Sequence, residues 1–212
     1  MQNYFLISLD ALFEVFSGVF ETVEMGKPVE NKFKIGDIAP TEKVTTIEDQ
    51  EILLKGGNGI IHFQLRRFSG CPICNVHLKS IASHYSEIQA CGVKEVIVLH
   101  SSADIIKENQ GSVEWAKELT FIADPTKALY KSFGATQSGI MSLLSAATLK
   151  AVFNGKAITK LFKREGAEAG KNQNPMEALI DTATGEIIDI HYGKSFYDQW
   201  SVEELMTKIK KG

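Results

Sequence analysis

The sequence predicts an α/β fold in which a central mixed β-sheet is flanked by helices. Three observations carry this prediction. GIIHFQL at 59–65 is an apolar, β-branched run of strand length, residues 73–90 keep a rough helical period, and KEVIVLH at 94–100 is a second apolar run. Strand, helix and strand in this order make a βαβ unit, whose two strands run parallel.

The elements on either side extend this sheet. Before the unit, KVTTIEDQEILL suggests a short hairpin, and after it the chain continues to alternate, which predicts a mostly parallel sheet covered on both faces. Two apolar strands around a Thr184-Gly185 turn then close the sheet with a hairpin. The other expected elements are helices around 103–109 and 113–119, a strand TFIAD, a helix ALYKSFG ended by Gly134, and a last amphipathic helix SVEELMTKIKK.

Two segments lie outside this alternation. Residues 5–24 carry Leu and Phe at helical spacing and predict an amphipathic helix, so we divide the chain into residues 1–32, the N-terminal helix and linker, and a domain at 33–212. Around 137–173, glycines spaced among MSLLSAATLKAVF and a polar stretch predict a helical insertion. The apolar face of the N-terminal helix must be buried, on its own domain or against a second copy in a homodimer.

Composition excludes several classes of function. A chain of 212 residues with 44% hydrophobic content can bury one sizeable core, and a net charge of -3 provides no basic surface for nucleic acid. No Lys or Arg precedes Lys27, and Asp10 and Glu14 interrupt the first apolar residues, so we expect neither a secretion signal nor a membrane span. We therefore expect a cytoplasmic protein, in which three cysteines do not form a disulfide framework.

The motif most informative about chemistry is FSGCPICNVHLKS at 68–80, which places Cys71 and Cys74 at the start of the predicted helix. A thiol in the first turn faces unsatisfied N–H groups and the positive end of the helix dipole, which favour the thiolate. Cys71 is thus the candidate nucleophile. Pro72 suits the first turn because it has no N–H to lose, and Cys74, on the same face, is the candidate resolving thiol.

Other interpretations of these residues remain open at this stage. Cys71, Cys74 and His77 have the spacing C-x2-C-x2-H of a metal site, but no second cysteine pair completes the ligand set, so we expect no metal. The CxxC could also act once, as a non-enzymatic redox sensor or interaction module. His62 and His100 are interpreted as satisfied core histidines, and Cys91 as a buried bystander at a helix end.

Several motifs together resemble those of a known family. IGDIAP, a strand, GCPIC opening a helix, ADPTKALYKSFG and ALIDTATGEIIDIHYG are similar, over roughly residues 33–210, to the peroxiredoxin-like (AhpC/TSA-type) branch of the thioredoxin superfamily. The resemblance implies a thioredoxin-like fold and a peroxidatic or attacking Cys71. It also implies that Pro175, before the closing hairpin, faces the site, with a cis Asn174-Pro175 bond. We expect a peroxide or disulfide substrate, a thioredoxin- or glutathione-type thiol reductant and no bound organic cofactor.

The chain departs from the family pattern close to the cysteine. Gln64 and Phe68 stand where peroxiredoxins carry a proline and a threonine, so only Ser69 offers a substitute hydroxyl. Arg66 and Arg67 could stabilise a thiolate or bind an anionic substrate, and strand alternation predicts that only one of them points toward Cys71. The alternative is that both arginines are exposed at a strand end.

Overall fold

The computed structural model describes residues 32–135, 137 and 173–211. The predicted N-terminal helix at 5–24 and all but the ends of the predicted insertion lie outside the described residues. Within the described ranges, no helix has the length and apolar character needed to span a bilayer.

The described residues form two sheets and several short helices. The helices are α1 (Pro72–Ser83), α2 (Tyr85–Ala90), α3 (Ala103–Gly111), α4 (Ala128–Ser132) and α5 (Val202–Ile209), with one 3-10 turn at Glu114–Ala116. The strands are β1 (Lys43–Thr45), β2 (Glu51–Leu53), β3 (Ile60–Leu65), β4 (Val93–Leu99), β5 (Thr120–Ala123), β6 (Met176–Asp181) and β7 (Glu186–Tyr192).

The main sheet has five strands in the order β5-β4-β3-β6-β7. Strands β3, β4 and β5 run parallel, as the βαβ unit predicts, whereas β6 pairs antiparallel with both β3 and β7. The mixed sheet is therefore confirmed. The expectation that the sheet is mostly parallel was wrong, because the closing hairpin adds directly to β3 and makes half of the pairings antiparallel.

Strand β3 is central and is buried on both faces. Its odd-numbered residues face an apolar core that includes Tyr130 of α4, Phe133 at the end of that helix, and residues of the β1–β2 hairpin. The even-numbered residues His62 and Gln64 face the opposite side, where α1 and α5 pack. The carboxyl end of β3 leads into the loop that carries the cysteines, so the buried centre of the sheet fixes the position of that loop.

Residues that precede the β1–β2 hairpin also pair with the main sheet. The N–H of Gly36 donates to the carbonyl of Ile187 at 2.9 Å, and the N–H of Ile187 donates to the carbonyl of Asp37 at 2.8 Å. This pairing supplies partners to main-chain groups on the outer edge of β7, which would otherwise be open to another strand.

Two helices and one cysteine differ from the prediction. The helical period over 73–90 belongs to two helices that meet at His84, whose φ of -115° leaves the helical region. Only a 3-10 turn forms within 113–119. Cys91 is exposed rather than buried, because it caps α2 at a surface turn before Gly92, which has a φ of 76°.

Candidate active site

Cys71 is the residue that caps the N-terminus of α1. Its backbone is extended, with φ -67° and ψ 113°, and Pro72 occupies the first helical position, as its missing N–H predicts. The N–H of Cys74 donates to Sγ of Cys71 at 3.5 Å. The sulfur therefore takes the place that a Ser or Asp oxygen takes in most helix caps.

Side-chain hydrogen bonds fix the turn before Cys71. Nδ2 of Asn75 donates to the carbonyl oxygens of Ser69 at 2.7 Å and Cys71 at 2.9 Å. The Ser69 hydroxyl accepts hydrogen bonds from Asn109 and Gln110 of α3, at 3.1 and 3.3 Å. Ser69, expected from the sequence as a substrate-orienting hydroxyl, thus ties the cysteine loop to α3.

Arg66 and Arg67 point in different directions, as strand alternation predicts. Nη1 of Arg67 lies 3.7 Å from Sγ of Cys71, whereas Arg66 extends beneath the sheet toward Glu177. Both arginines are buried, so the alternative of an exposed strand end was wrong. Arg67 brings a full positive charge to the sulfur.

The two thiols have opposite electrostatic environments. Burial raises the pKa of Cys71, but a hydrogen bond from the Cys74 thiol, the charge of Arg67 and the N–H groups of Cys74 and Ile73 outweigh it and lower that pKa to about 6. The same hydrogen bond, burial and the charge of the Cys71 thiolate raise the pKa of Cys74 well above its ordinary value. At pH 7 the pair therefore holds one thiolate, on Cys71, and one thiol.

Both sulfurs are enclosed in the folded protein. Cys71 is 0% exposed and Cys74 is 3% exposed, so the first cysteine of the pair is not the more accessible one. Phe196, from the segment between β7 and α5, packs with Ile73 and Phe68 against the two cysteines. The guanidinium of Arg67 lies 4.0 Å from the centre of the Phe196 ring.

A buried polar cluster lies under β3, on the α1 side of the sheet. Arg66 donates to Gln64, with Nε 3.0 Å from Oε1, and pairs with Glu177 of β6. Nδ1 of His62 lies 2.9 Å from the Glu95 carboxylate, which also accepts a hydrogen bond from Gln64. These five residues, all fully buried, are called the buried polar cluster below.

His77 and His100 supply no positive charge at the sulfur. Burial lowers the pKa of His77 well below its ordinary value, and it lowers the pKa of His100 to about 4, with Lys127 and Arg67 contributing. Both are neutral at pH 7. The Nε2 of His77 lies 3.7 Å from the carboxylate of Glu177. No three His, Cys, Asp or Glu side chains form a group that could hold a metal ion within the described residues, 32–135, 137 and 173–211.

The peptide bond before Pro175 is trans, which corrects the expectation of a cis bond. Met176 pairs with Tyr192 in the β6–β7 hairpin. The N–H of Gly193 donates to the carbonyl of Pro175 at 2.9 Å, so the main-chain hydrogen bonds of the hairpin continue to Pro175. The trans form keeps Pro175 in the extended line of β6. Pro175 directly precedes Met176, which pairs with Leu65, the last residue of β3.

Comparison with solved structures decides the fold. A peroxiredoxin-like protein from Aquifex aeolicus is similar with a TM-score of 0.60 and 17% identity, over 86% of this chain and 90% of that chain. Peroxidoxin BcpB from Mycobacterium tuberculosis gives a TM-score of 0.59 and 10% identity, over 84% and 97% of the two chains. Enterococcus faecalis AhpC gives 0.53 and 15%, over 85% and 87%.

The chain has a thioredoxin-like fold of the peroxiredoxin type. No protein-family model matches it, and no curated protein matches its sequence. The peroxiredoxin-type fold places a helix N-terminus at the carboxyl end of the central strand, and here Cys71 occupies that position.

Sequence reasoning missed three contributors to the site. Asn75 looks like an ordinary polar helix residue, and only its position one turn after Cys71 hints at a cap. Glu177 stands in an apolar strand of the closing hairpin, where a charged residue signals a buried partner. Phe196 gives no signal, because nothing in the sequence relates it to a cysteine more than 100 positions away.

Proposed function

We propose that the protein is a thiol peroxidase of the peroxiredoxin type, in which Cys71 attacks the peroxide and Cys74 resolves the product. One observation carries the proposal: within a single helical turn, the pKa of Cys71 is lowered to about 6 while that of Cys74 is raised. The thiolate is the form that attacks a peroxide, and a second thiol within the same turn is placed to attack the oxidised sulfur. The similarity to peroxiredoxin structures supports the same chemistry.

The first step oxidises Cys71. Its thiolate sulfur attacks one peroxide oxygen, an S–O bond forms and the O–O bond breaks. The leaving alkoxide or hydroxide takes a proton, so the peroxide is reduced by two electrons and Cys71 becomes a sulfenic acid. Arg67 stabilises the thiolate and lies beside the negative charge that develops on the oxygens.

The second step forms a disulfide. The Cys74 thiol loses its proton, its sulfur attacks the sulfenic sulfur, and the hydroxyl leaves as water when it takes up a proton. A thiol reductant of the thioredoxin or glutathione type then reduces the disulfide to two thiols. We place this cycle in a reducing compartment, the cytoplasm, where such donors are maintained.

A coupled turnover assay tests the proposal. The purified full chain is mixed with hydrogen peroxide and one of two donor systems, either thioredoxin with thioredoxin reductase or glutathione with glutaredoxin and glutathione reductase, and NADPH consumption is followed. We expect sustained turnover in the wild type and in Cys91→Ser, and none above background in Cys71→Ser. Wild-type activity no greater than that of Cys71→Ser, with both donor systems, would refute the proposal.

The burial of both sulfurs favours a second candidate, a redox sensor that is oxidised once. A sensor would form the Cys71–Cys74 disulfide with peroxide but would not be reduced again by either donor system. One equivalent of peroxide consumed per chain, with no further NADPH oxidation, would support the sensor, whereas many equivalents would support the peroxidase.

A further inference from the structure

The segment 193–200 forms a cover over the proposed nucleophile. It links β7 to α5, and it places the Phe196 ring against Cys71 and Cys74, where Phe196 is only 1% exposed. The adjacent Tyr197 is 45% exposed, so the segment has one face on the site and one in solvent. Phe196 is therefore one of the side chains that shield both sulfurs from solvent.

Hydrogen bonds hold both ends of this segment. At the start, Gly193 donates to the carbonyl of Pro175 at 2.9 Å, and Asp198 accepts from the N–H of Lys194 at 2.8 Å and pairs with His191 at 2.8 Å.

At its end, the segment is fixed to the buried polar cluster. The side chain of Gln199 accepts a hydrogen bond from Arg66, and the N–H of Trp200 donates to Glu177 at 2.5 Å. Moving the whole segment would remove one hydrogen bond from each of the buried groups Arg66 and Glu177, and hydrogen bonds to charged groups are among the stronger ones. Displacing one phenyl ring is the smaller change.

We infer that Phe196 is a specificity-determining residue, which admits small peroxides to Cys71 and restricts bulky hydroperoxides and protein disulfides. The inference rests on the proposed function and specifies its substrate class. Hydrogen peroxide needs only a displacement of the ring to reach the sulfur. A bulky hydroperoxide or a protein disulfide needs the segment 193–200 to leave the site.

Thiol labelling of the folded wild-type protein tests this inference without any variant and without catalysis. The rates at Cys71 and at the exposed Cys91 are measured by mass spectrometry with iodoacetamide and with a maleimide that carries a large aromatic group. Cys91 corrects for the intrinsic reactivity of each reagent. We expect the ratio of Cys71 to Cys91 labelling to be at least about tenfold lower for the bulky reagent. Equal ratios would overturn the inference.

Substitutions extend the test to substrate choice. In single-turnover oxidation, Phe196→Ala should raise the rate with cumene hydroperoxide relative to hydrogen peroxide by about tenfold. Phe196→Leu, which keeps an apolar cover, and Tyr197→Ala, on the exposed face, should leave this ratio within about threefold of wild type. An unchanged ratio in a folded Phe196→Ala variant would overturn the inference. If neither peroxide oxidises the wild type, the proposed function is wrong. If the bulky maleimide in that case still labels Cys71 at least about tenfold less than iodoacetamide does, relative to Cys91, the cover over Cys71 is nevertheless supported.

Discussion

Replacing Arg67 with methionine should raise the pKa of Cys71, because it removes the positive charge nearest to the thiolate and keeps a side chain of similar length. Nη1 of Arg67 is 3.7 Å from Sγ of Cys71, and both side chains are buried. At that separation two opposite charges attract by about 4 kcal/mol with an effective dielectric constant of about 20. Opposite charges this close usually move a pKa by about one to three pH units.

The consequence for reactivity follows from the thiolate fraction. With a pKa of about 6, about nine tenths of Cys71 is ionised at pH 7. An upward shift of one pH unit would leave about one half ionised, and a shift of three would leave about one hundredth. The rate of reaction with peroxide at pH 7 should fall, by less than the thiolate fraction does, because a thiolate of higher pKa is intrinsically more nucleophilic.

Ultraviolet absorbance of the thiolate, followed against pH, measures this shift directly. The titration is made in the reduced Cys91→Ser background, and Cys74 does not interfere because its pKa is raised well above the ordinary value of 9.0. Arg67→Lys retains the charge and should move the midpoint less than Arg67→Met does. A midpoint for Arg67→Met within about half a pH unit of wild type would refute the electrostatic role given to Arg67.

Three further predictions concern stability and the cover. Between pH 6 and pH 9, folded Cys71, with a pKa of about 6, binds fewer protons than unfolded Cys71, whose pKa is the ordinary 9.0. The unfolding free energy of reduced wild type, relative to that of Cys71→Ser, should therefore rise with pH across this window, by up to about 4 kcal/mol. A difference between the two proteins that does not change with pH in urea titrations would contradict this. Glu177→Gln removes the charge that pairs with the buried guanidinium of Arg66 and should lower the unfolding free energy by about 3–5 kcal/mol in urea titration. The control Glu203→Gln, at an exposed position, should change it by less than about 0.5 kcal/mol, and equal effects of the two substitutions would contradict the role of the buried polar cluster. In Gly193→Ala the new Cβ would lie 2.4 Å from a backbone oxygen of the segment 193–200, so the melting temperature should fall and iodoacetamide should label Cys71 faster. In the control Gly111→Ala the new Cβ meets nothing within 4 Å, so the melting temperature should not fall and the labelling should not accelerate. Similar behaviour of the two variants would count against a tightly packed cover.

Local patterns in the sequence predicted the framework around the cysteines. The apolar runs of β3 and β4 and the helical period after Cys71 each depend on neighbours within one element, so the βαβ unit could be recognised without knowing the tertiary structure. The position of Cys71 at a helix start and of Pro72 in the first turn depends on the same short range.

Contacts between distant parts of the chain could not be predicted in this way. Arg66 looks exposed from its residue type, yet it is fully buried because Glu177, 111 residues later, arrives on the neighbouring strand with a compensating charge. The cover by Phe196 and the trans bond before Pro175 likewise depend on how the closing hairpin continues into the segment 193–200. Family resemblance predicted a cis bond there, and the bond is trans.

The central claim is that Cys71 attacks and Cys74 resolves, and peptide mapping after oxidation tests it most directly. Reduced wild type, Cys74→Ser and Cys71→Ser are each treated with one equivalent of hydrogen peroxide in the presence of dimedone, then digested and analysed by mass spectrometry. We predict a Cys71–Cys74 disulfide in the wild type and a dimedone adduct on Cys71 in Cys74→Ser. An adduct on Cys74 in Cys71→Ser, together with no adduct on Cys71 in Cys74→Ser, would contradict the assignment of the two thiols.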